Sequence, residues 1–244
     1  MGKIITSVNN EYIKKIAKLK EKKYRDEEKM FLVEGYHLVN EAKDYLKSVL
    51  ITNDKDEVKG VDNIIVTDNI IEKLSSVKSP QKIIGVCKYF NKTDLTGKRF
   101  LILDGIQDPG NLGTLVRTAL GFNIDTVICS KDTVSVYNDK VIRSTQGAIF
   151  HINYIVGDLV KIINELKKNE VKVISTSLQS SIDLEELDCD SLDSYAICLG
   201  NEGNGVSKEV QELADINVRI DMNSKLESLN VSVAGAIMMY KLKK

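Results

Sequence analysis

Apolar positions along the chain recur in two patterns that rarely overlap. In YIKKIAKLKEKK, residues Tyr12, Ile13, Ile16 and Leu19 fall at helical spacing with lysines between them, which predicts an amphipathic helix over 12–23. The short apolar runs MFLVEG, SVLIT, NIIVTD and QKIIGVCKYF then read as strands, with HLVNEAKDYL and NIIEKLSSV as helices among them. This alternation predicts a small α/β domain. The polar, turn-prone stretch NKTDLTGKR at 91–99 interrupts it and is assigned as a linker, giving a first domain over 1–92 and a second over 97–244.

Beyond the linker, FLILDGI is a continuous apolar run of the kind buried on both faces of a sheet, and LGTLVRTALGF follows it as a helix. Further strands are predicted at DTVICS, FHINYIV, VKVISTS, YAICLGN and NVRIDM. Helices are predicted at NDKVIRSTQG, DLVKIINELKKN, SKEVQELADI and LNVSVAGAIMMYKLKK. Strands alternating with helices of this length imply a parallel sheet, whose ligand crevice lies at the carboxyl ends of its strands. The acidic stretch DLEELDCDSLD, 183–193, has no basic residue and reads as a solvated loop.

Composition narrows the choice of partner and chemistry. The chain has 244 residues, with 34 Lys and Arg against 35 Asp and Glu, a formal net charge of −1 that attracts no polyanion globally. Residues 1–29, however, carry nine basic and five acidic side chains, so a basic surface is local to that end. Its lysines suit either a solvated face or phosphate contacts. The four cysteines, Cys87, Cys129, Cys189 and Cys198, form no C-x-x-C pair and read as buried, reduced thiols. With only His37 and His151, a three-histidine metal site is excluded, and no metal is expected. No signal-like or bilayer-length apolar run is present, which gives a cytoplasmic expectation with no membrane partner.

Three segments at predicted strand ends carry candidate chemistry. In DGIQDPGNLGTLVRTA, 104–119, Pro109 and Gly110 make a turn and Asn111 suits an N-cap. Arg117 lies in an otherwise apolar helix, where a guanidinium needs a partner or a ligand. In LGNEGNGVS, Gly200, Gly203 and Gly205 reverse the G-x-G-x-x-G order, so a nicotinamide dehydrogenase reading fails, and no nucleoside-triphosphate loop is present. Those glycines still allow close backbone approach to a ligand, with Glu202 beside it. In RIDMNSKLESLNVSVAGAIMMY, Ser228 and Asn230 bracket Leu229 at a helix start, where they can cap the helix or bind a ligand.

DPGNLGTLVRTA, LGNEGNGVS and SLNVSVAGA, in this order across 100–244, resemble the three motifs of the SpoU (TrmH-like) family of RNA 2′-O-ribose methyltransferases in the SPOUT superfamily. ITSVNNEYIKKIAKLKEKKYR and FLVEG resemble the ribosomal-protein-like substrate-binding domain that often precedes the catalytic one. The resemblance implies an α/β C-terminal domain with a trefoil knot, one of the known exceptions to unthreaded chains. It also implies S-adenosylmethionine as methyl donor, a ribose 2′-hydroxyl in RNA as acceptor, and a homodimer. By residue, it implies cofactor contacts at Gly200, Ile220 and Leu229, with Thr176 and Met222 beside them, and catalytic or architectural roles for Asn111, Arg117, Glu202, Ser228 and Asn230.

The family proposal makes the first-motif arginine the base, yet arginine stays protonated in proteins. Arg117 is therefore read as orienting or stabilising the developing oxyanion, while a phosphate or water takes the proton. Lys14, Lys15, Lys18, Lys22, Lys23 and Arg143 are the RNA-binding candidates, and large-subunit ribosomal RNA precedes transfer RNA as the expected substrate. One departure stands out: Asp221 follows Ile220 where the family usually has proline. A noncatalytic RNA-binding or ribosome-assembly protein on the same fold is the alternative.

Overall fold

The computed structural model describes residues 3–90, 94–177 and 181–243. Its first unit follows the apolar runs closely. Strands β1 (Lys3–Ile5), β2 (Met30–Glu34), β3 (Leu46–Ile51), β4 (Asp62–Val66) and β5 (Ile83–Lys88) alternate with helices α1 (Glu11–Ala17), α2 (Lys22–Glu28), α3 (Tyr36–Glu41) and α4 (Asp68–Leu74). The sheet order is β1-β4-β3-β5-β2, with β5 antiparallel to both β3 and β2. Ile13, Ile16 and Leu19 pack with Leu50, Ile70 and Ile71 in its core.

The predicted helix over 12–23 is in fact two. Asn10 caps α1 by accepting from the Tyr12 N–H, a 3₁₀ turn covers Lys18–Lys20, and Glu21 is extended (φ −94°, ψ 136°) before α2 begins. The break is satisfied from α2: the buried Arg25 guanidinium donates to the carbonyls of Leu19 (3.0 Å) and Lys20 (2.7 Å), groups a continuous helix would have bonded itself.

The second unit runs β6 (Arg99–Asp104), α5 (Pro109–Gly121) and β7 (Thr126–Ser130). After α6 (Asp139–Thr145) it resumes with β8 (Asn153–Gly157), α7 (Leu159–Lys168), β9 (Lys172–Thr176), β10 (Ile182–Asp183), β11 (Tyr195–Gly200), α8 (Lys208–Gln211), β12 (Ile216–Arg219) and α9 (Val231–Leu242). Its seven strands are all parallel, in the order β10-β12-β9-β11-β6-β7-β8. Because β11 lies beside β6 with Gly200 opposite Asp104, the loops leaving both strands start side by side.

Three further expectations change. Residues 135–150, assigned from sequence to the second domain, cluster with the first unit, which comprises 1–90 and 135–150. Aromatic packing holds them there: Tyr137 stacks on Tyr89 at 3.6 Å, and Phe150 joins Phe31, Tyr45 and Phe90. The acidic stretch is not a free loop, since Leu184, Leu187 and Leu192 are buried and pin its carboxylates to the surface. The helix expected at SKEVQELADI is the single turn α8. Among the described residues no helix is long and apolar enough to cross a membrane.

Candidate active site

The first loop is set by Pro109 at the start of α5, where its fixed φ and missing N–H fit a helix start. Asp108, rather than Asn111, is the N-cap: its carboxylate accepts the Asn111 N–H at 2.9 Å. A carboxylate there also suits the helix dipole, and it leaves the Asn111 side chain free. That side chain reaches the second loop, donating from Nδ2 to Glu202 Oε1 at 3.0 Å. Asn230, the N-cap of α9, donates from Nδ2 to Asn111 Oδ1 at 2.9 Å, while its own Oδ1 accepts from the Ser232 N–H at 2.9 Å. Asn111 thus bridges Glu202 and Asn230, joining residues of three separate motifs.

The Glu202 carboxylate also accepts from the backbone N–H groups of Gln107 and Asp108, both at 3.4 Å. Partial burial works against its charged form, but the Asn111 and backbone hydrogen bonds outweigh it and hold the carboxyl below its ordinary range. Glu202 is therefore an anion at neutral pH and a weak proton acceptor.

Beside this trio lies a cavity of about 690 Å³, within the range of small-molecule sites. Gly200, Ile220, Leu229, Thr176 and Met222, the five expected cofactor residues, all line it, as do Glu202, Ser228 and Asn230. Gly200 has no alternative: a Cβ there would land inside the backbone of Gly205 and Val206, because the loop folds back through paired Asn201 and Gly205 hydrogen bonds. A Cβ at Gly205 would meet nothing within 4 Å, so the loop leaves open space on its other side. Gly235 lets α9 lie against Leu115 and Leu199, with an added Cβ only 2.5 and 2.7 Å from them. The volume, the glycine cradle and the mixed polar and apolar lining fit a ligand of the size of an adenosine joined to an amino acid.

Arg117 is not among the cavity's lining residues. It is exposed on α5 and makes no hydrogen bond or ion pair with described residues, so the expected burial cost does not arise. Asp221 is exposed as well.

The RNA candidates divide. Lys14 pairs with Glu11 at 2.9 Å and Lys15 with Glu28 at 2.7 Å. Lys18 and Lys23 lie over the Tyr24 ring at 5.1 and 5.7 Å, and Lys22 is exposed. Arg143 belongs to the first unit and pairs with Asp139 at 3.0 Å. Sequence reasoning missed Asn201 and Gln107, which tie the first two loops; their only signal is position beside Glu202 and Asp108.

A model of the SpoU rRNA Methylase family matches residues 98–240, and one of the MRM3-like substrate binding domain matches 10–85. The chain is 36% identical, over 99% of both lengths, to the 23S rRNA (guanosine(2553)-2′-O)-methyltransferase RlmP of Bacillus subtilis. An rRNA methyltransferase crystal structure from Sinorhizobium meliloti superposes with a TM-score of 0.91 at 28% identity, covering 98% of this chain and 96% of that one. An AdoMet-bound structure of an rRNA methyltransferase from the same organism gives 0.89 at 27% identity, covering 98% and 97%.

Proposed function

The chain belongs to the SpoU rRNA methylase family, and from that premise we propose that it methylates one ribose 2′-hydroxyl of large-subunit ribosomal RNA, using S-adenosylmethionine. The observation that carries this reading is the Glu202–Asn111–Asn230 contact at the edge of a cavity lined by Gly200, Ile220 and Leu229. The choice of ribosomal RNA is supported by the full-length similarity to the Bacillus subtilis enzyme and by the substrate-binding match over 10–85.

Gly200, Ile220, Leu229, Thr176 and Met222 are the residues that would hold the cofactor. When bound, S-adenosylmethionine supplies a methyl group on a positively charged sulfur. The chain's own task is alignment of the ribose oxygen and relief of its proton. Glu202, kept ionised, serves as an anchor that orients Asn111, and Asn111 in turn is held by Asn230. Arg117, with its donors unspent, orients the acceptor and stabilises charge developing on its oxygen, while a phosphate or water takes the proton.

Val233, Ile237 and Tyr240 recur along one face of α9 and are 47%, 37% and 59% exposed, an apolar stripe suited to a second copy of the chain. The protein is read as a homodimer acting in the cytoplasm; a single-chain mass by light scattering would sink the dimer. The function is tested by calorimetry with S-adenosylmethionine followed by ribose-methylation mapping of ribosomal RNA incubated with the protein. Binding and one new 2′-O-methyl site are expected. Cofactor binding or RNA binding without transfer would instead favour a noncatalytic assembly factor, and a site in transfer RNA would redirect the substrate.

A further inference from the structure

Asn201, in the lining of the cavity, ties the second loop to the first. Its Nδ2 donates to the Gly105 carbonyl at 2.8 Å, across 96 residues of sequence. Its Oδ1 accepts from the backbone N–H groups of Gly203 at 2.9 Å and Asn204 at 3.2 Å. The donor half therefore joins the two loops, and the acceptor half shapes the second loop alone.

The backbone on either side of the Gly105 carbonyl is held by other bonds: the Gly105 N–H donates to Ser130 Oγ at 2.9 Å, the Val134 N–H to the Ile106 carbonyl at 2.9 Å, and the Ser207 N–H to Asp104 Oδ2 at 2.8 Å, while the carbonyl itself is held by side chains. Gly105 sits in the left-handed region (φ +71°), and its carbonyl receives a second, longer bond from Gln107 Nε2 at 3.3 Å. Gln107 Nε2 also donates to the Asp132 carbonyl at 2.8 Å, so the side chain next to Gly105 is itself anchored. Two and three residues beyond Gly105 are the N–H groups that hold Glu202. The path from Asn201 through Gly105 to Gln107 and Asp108 returns to Glu202, the residue after Asn201. It closes a ring that fixes where Glu202 meets Asn111.

We propose that Asn201 is a positioning residue for methyl transfer: its Nδ2–H to the Gly105 carbonyl keeps the Asn111 and Glu202 side chains in register without touching the acceptor. The proposal rests on the methyltransferase reading. Misplacement of reacting groups by about 1 Å can cost roughly a hundredfold in rate, which sets the scale of the effect.

Asn201→Asp separates the two halves. The carboxylate keeps the acceptor for Gly203 and Asn204, and so the shape of the glycine loop, but it turns a donor facing the Gly105 carbonyl into a repelling oxygen. The expected result is a fall in kcat of roughly ten- to a hundredfold that exceeds any change in KM or Kd for S-adenosylmethionine, whose cavity Asn201 also lines, and faster amide exchange across 105–111. Asn201→Ala, which loses both halves, should weaken cofactor binding as well. Wild-type kcat in Asn201→Asp, or unchanged exchange across 105–111, would overturn the proposal. A wild-type protein that binds S-adenosylmethionine but transfers no methyl group would defeat the functional reading instead, and the exchange measurement would still decide whether Asn201 ties the loops.

Discussion

The loops around the cavity and the lysine-rich helices of the first unit both carry the polar residues expected to act on RNA, yet they hold them in different ways. In the second unit, side chains 91 and 119 positions apart meet at 3.0 and 2.9 Å, and each amide uses both its donor and its acceptor. In the first unit, the lysines are sorted by local neighbours: Lys14 and Lys15 face carboxylates, Lys20 bonds the carbonyls of Lys73 and Ser75, and Lys18 and Lys23 lie over Tyr24. A bonded constellation admits one geometry, whereas a charge pattern admits many. The first is therefore brittle to single substitutions and the second graded.

The sharpest break is at Gly200. Replacing it with Ala drives a Cβ into the Gly205 and Val206 backbone, so the second loop must leave its place beside β6. Calorimetry should find S-adenosylmethionine binding weakened by about five- to more than a hundredfold, since an overpacked site costs roughly 1–3 kcal/mol before any lost contact is counted. Binding within about threefold of wild type would show that the loop relaxes without consequence for the cavity.

A second comparison concerns how each unit completes its core. The second unit closes on its own strands, while the first takes in residues 135–150 from the middle of the chain. Phe150 is 7% exposed and meets Tyr45 at 5.6 Å and Phe90 at 6.1 Å. Phe150→Ala should destabilise the first unit by about 3–5 kcal/mol in urea denaturation, through the cavity it leaves. A loss below about 1 kcal/mol would mean that the segment merely lies on the surface of that unit.

These contrasts mirror what the sequence makes legible. Continuous apolar runs such as FLILD and YAICLG announce the buried parallel strands, because burial on both faces leaves no polar positions. The three loops are readable from their residue types, and the cavity assembles all five expected cofactor residues. Pairings across the fold are another matter. No periodicity shows that Asp108 rather than Asn111 caps α5, since both residues suit the role and only Glu202, 91 positions away, decides which is diverted. The break at Glu21 is hidden for the same reason: Arg25 stabilises it from the following helix. Residues 135–150 read as part of the second unit because linear order offers no hint of Tyr137 stacking on Tyr89.

The gentlest test sorts the lysines. A carboxylate within 3 Å of Lys14 and of Lys15 already answers part of each charge, and a phosphate arriving there meets repulsion from Glu11 or Glu28. Lys18, Lys22 and Lys23 have no carboxylate partner among the described ion pairs, and Tyr24 between Lys18 and Lys23 offers an aromatic face to an unstacked base. Each phosphate contact contributes about 0.7 to 0.9 to the slope of log affinity against log salt. Changing Lys18, Lys22 and Lys23 to Gln should therefore flatten that slope by about two, while the same change at Lys14 and Lys15 should flatten it by less than about one. Filter binding of a ribosomal RNA fragment across a salt series reads both values. Equal flattening by the two sets would assign the contacts to net charge alone, and no flattening by the triple change would leave these helices a solvated face.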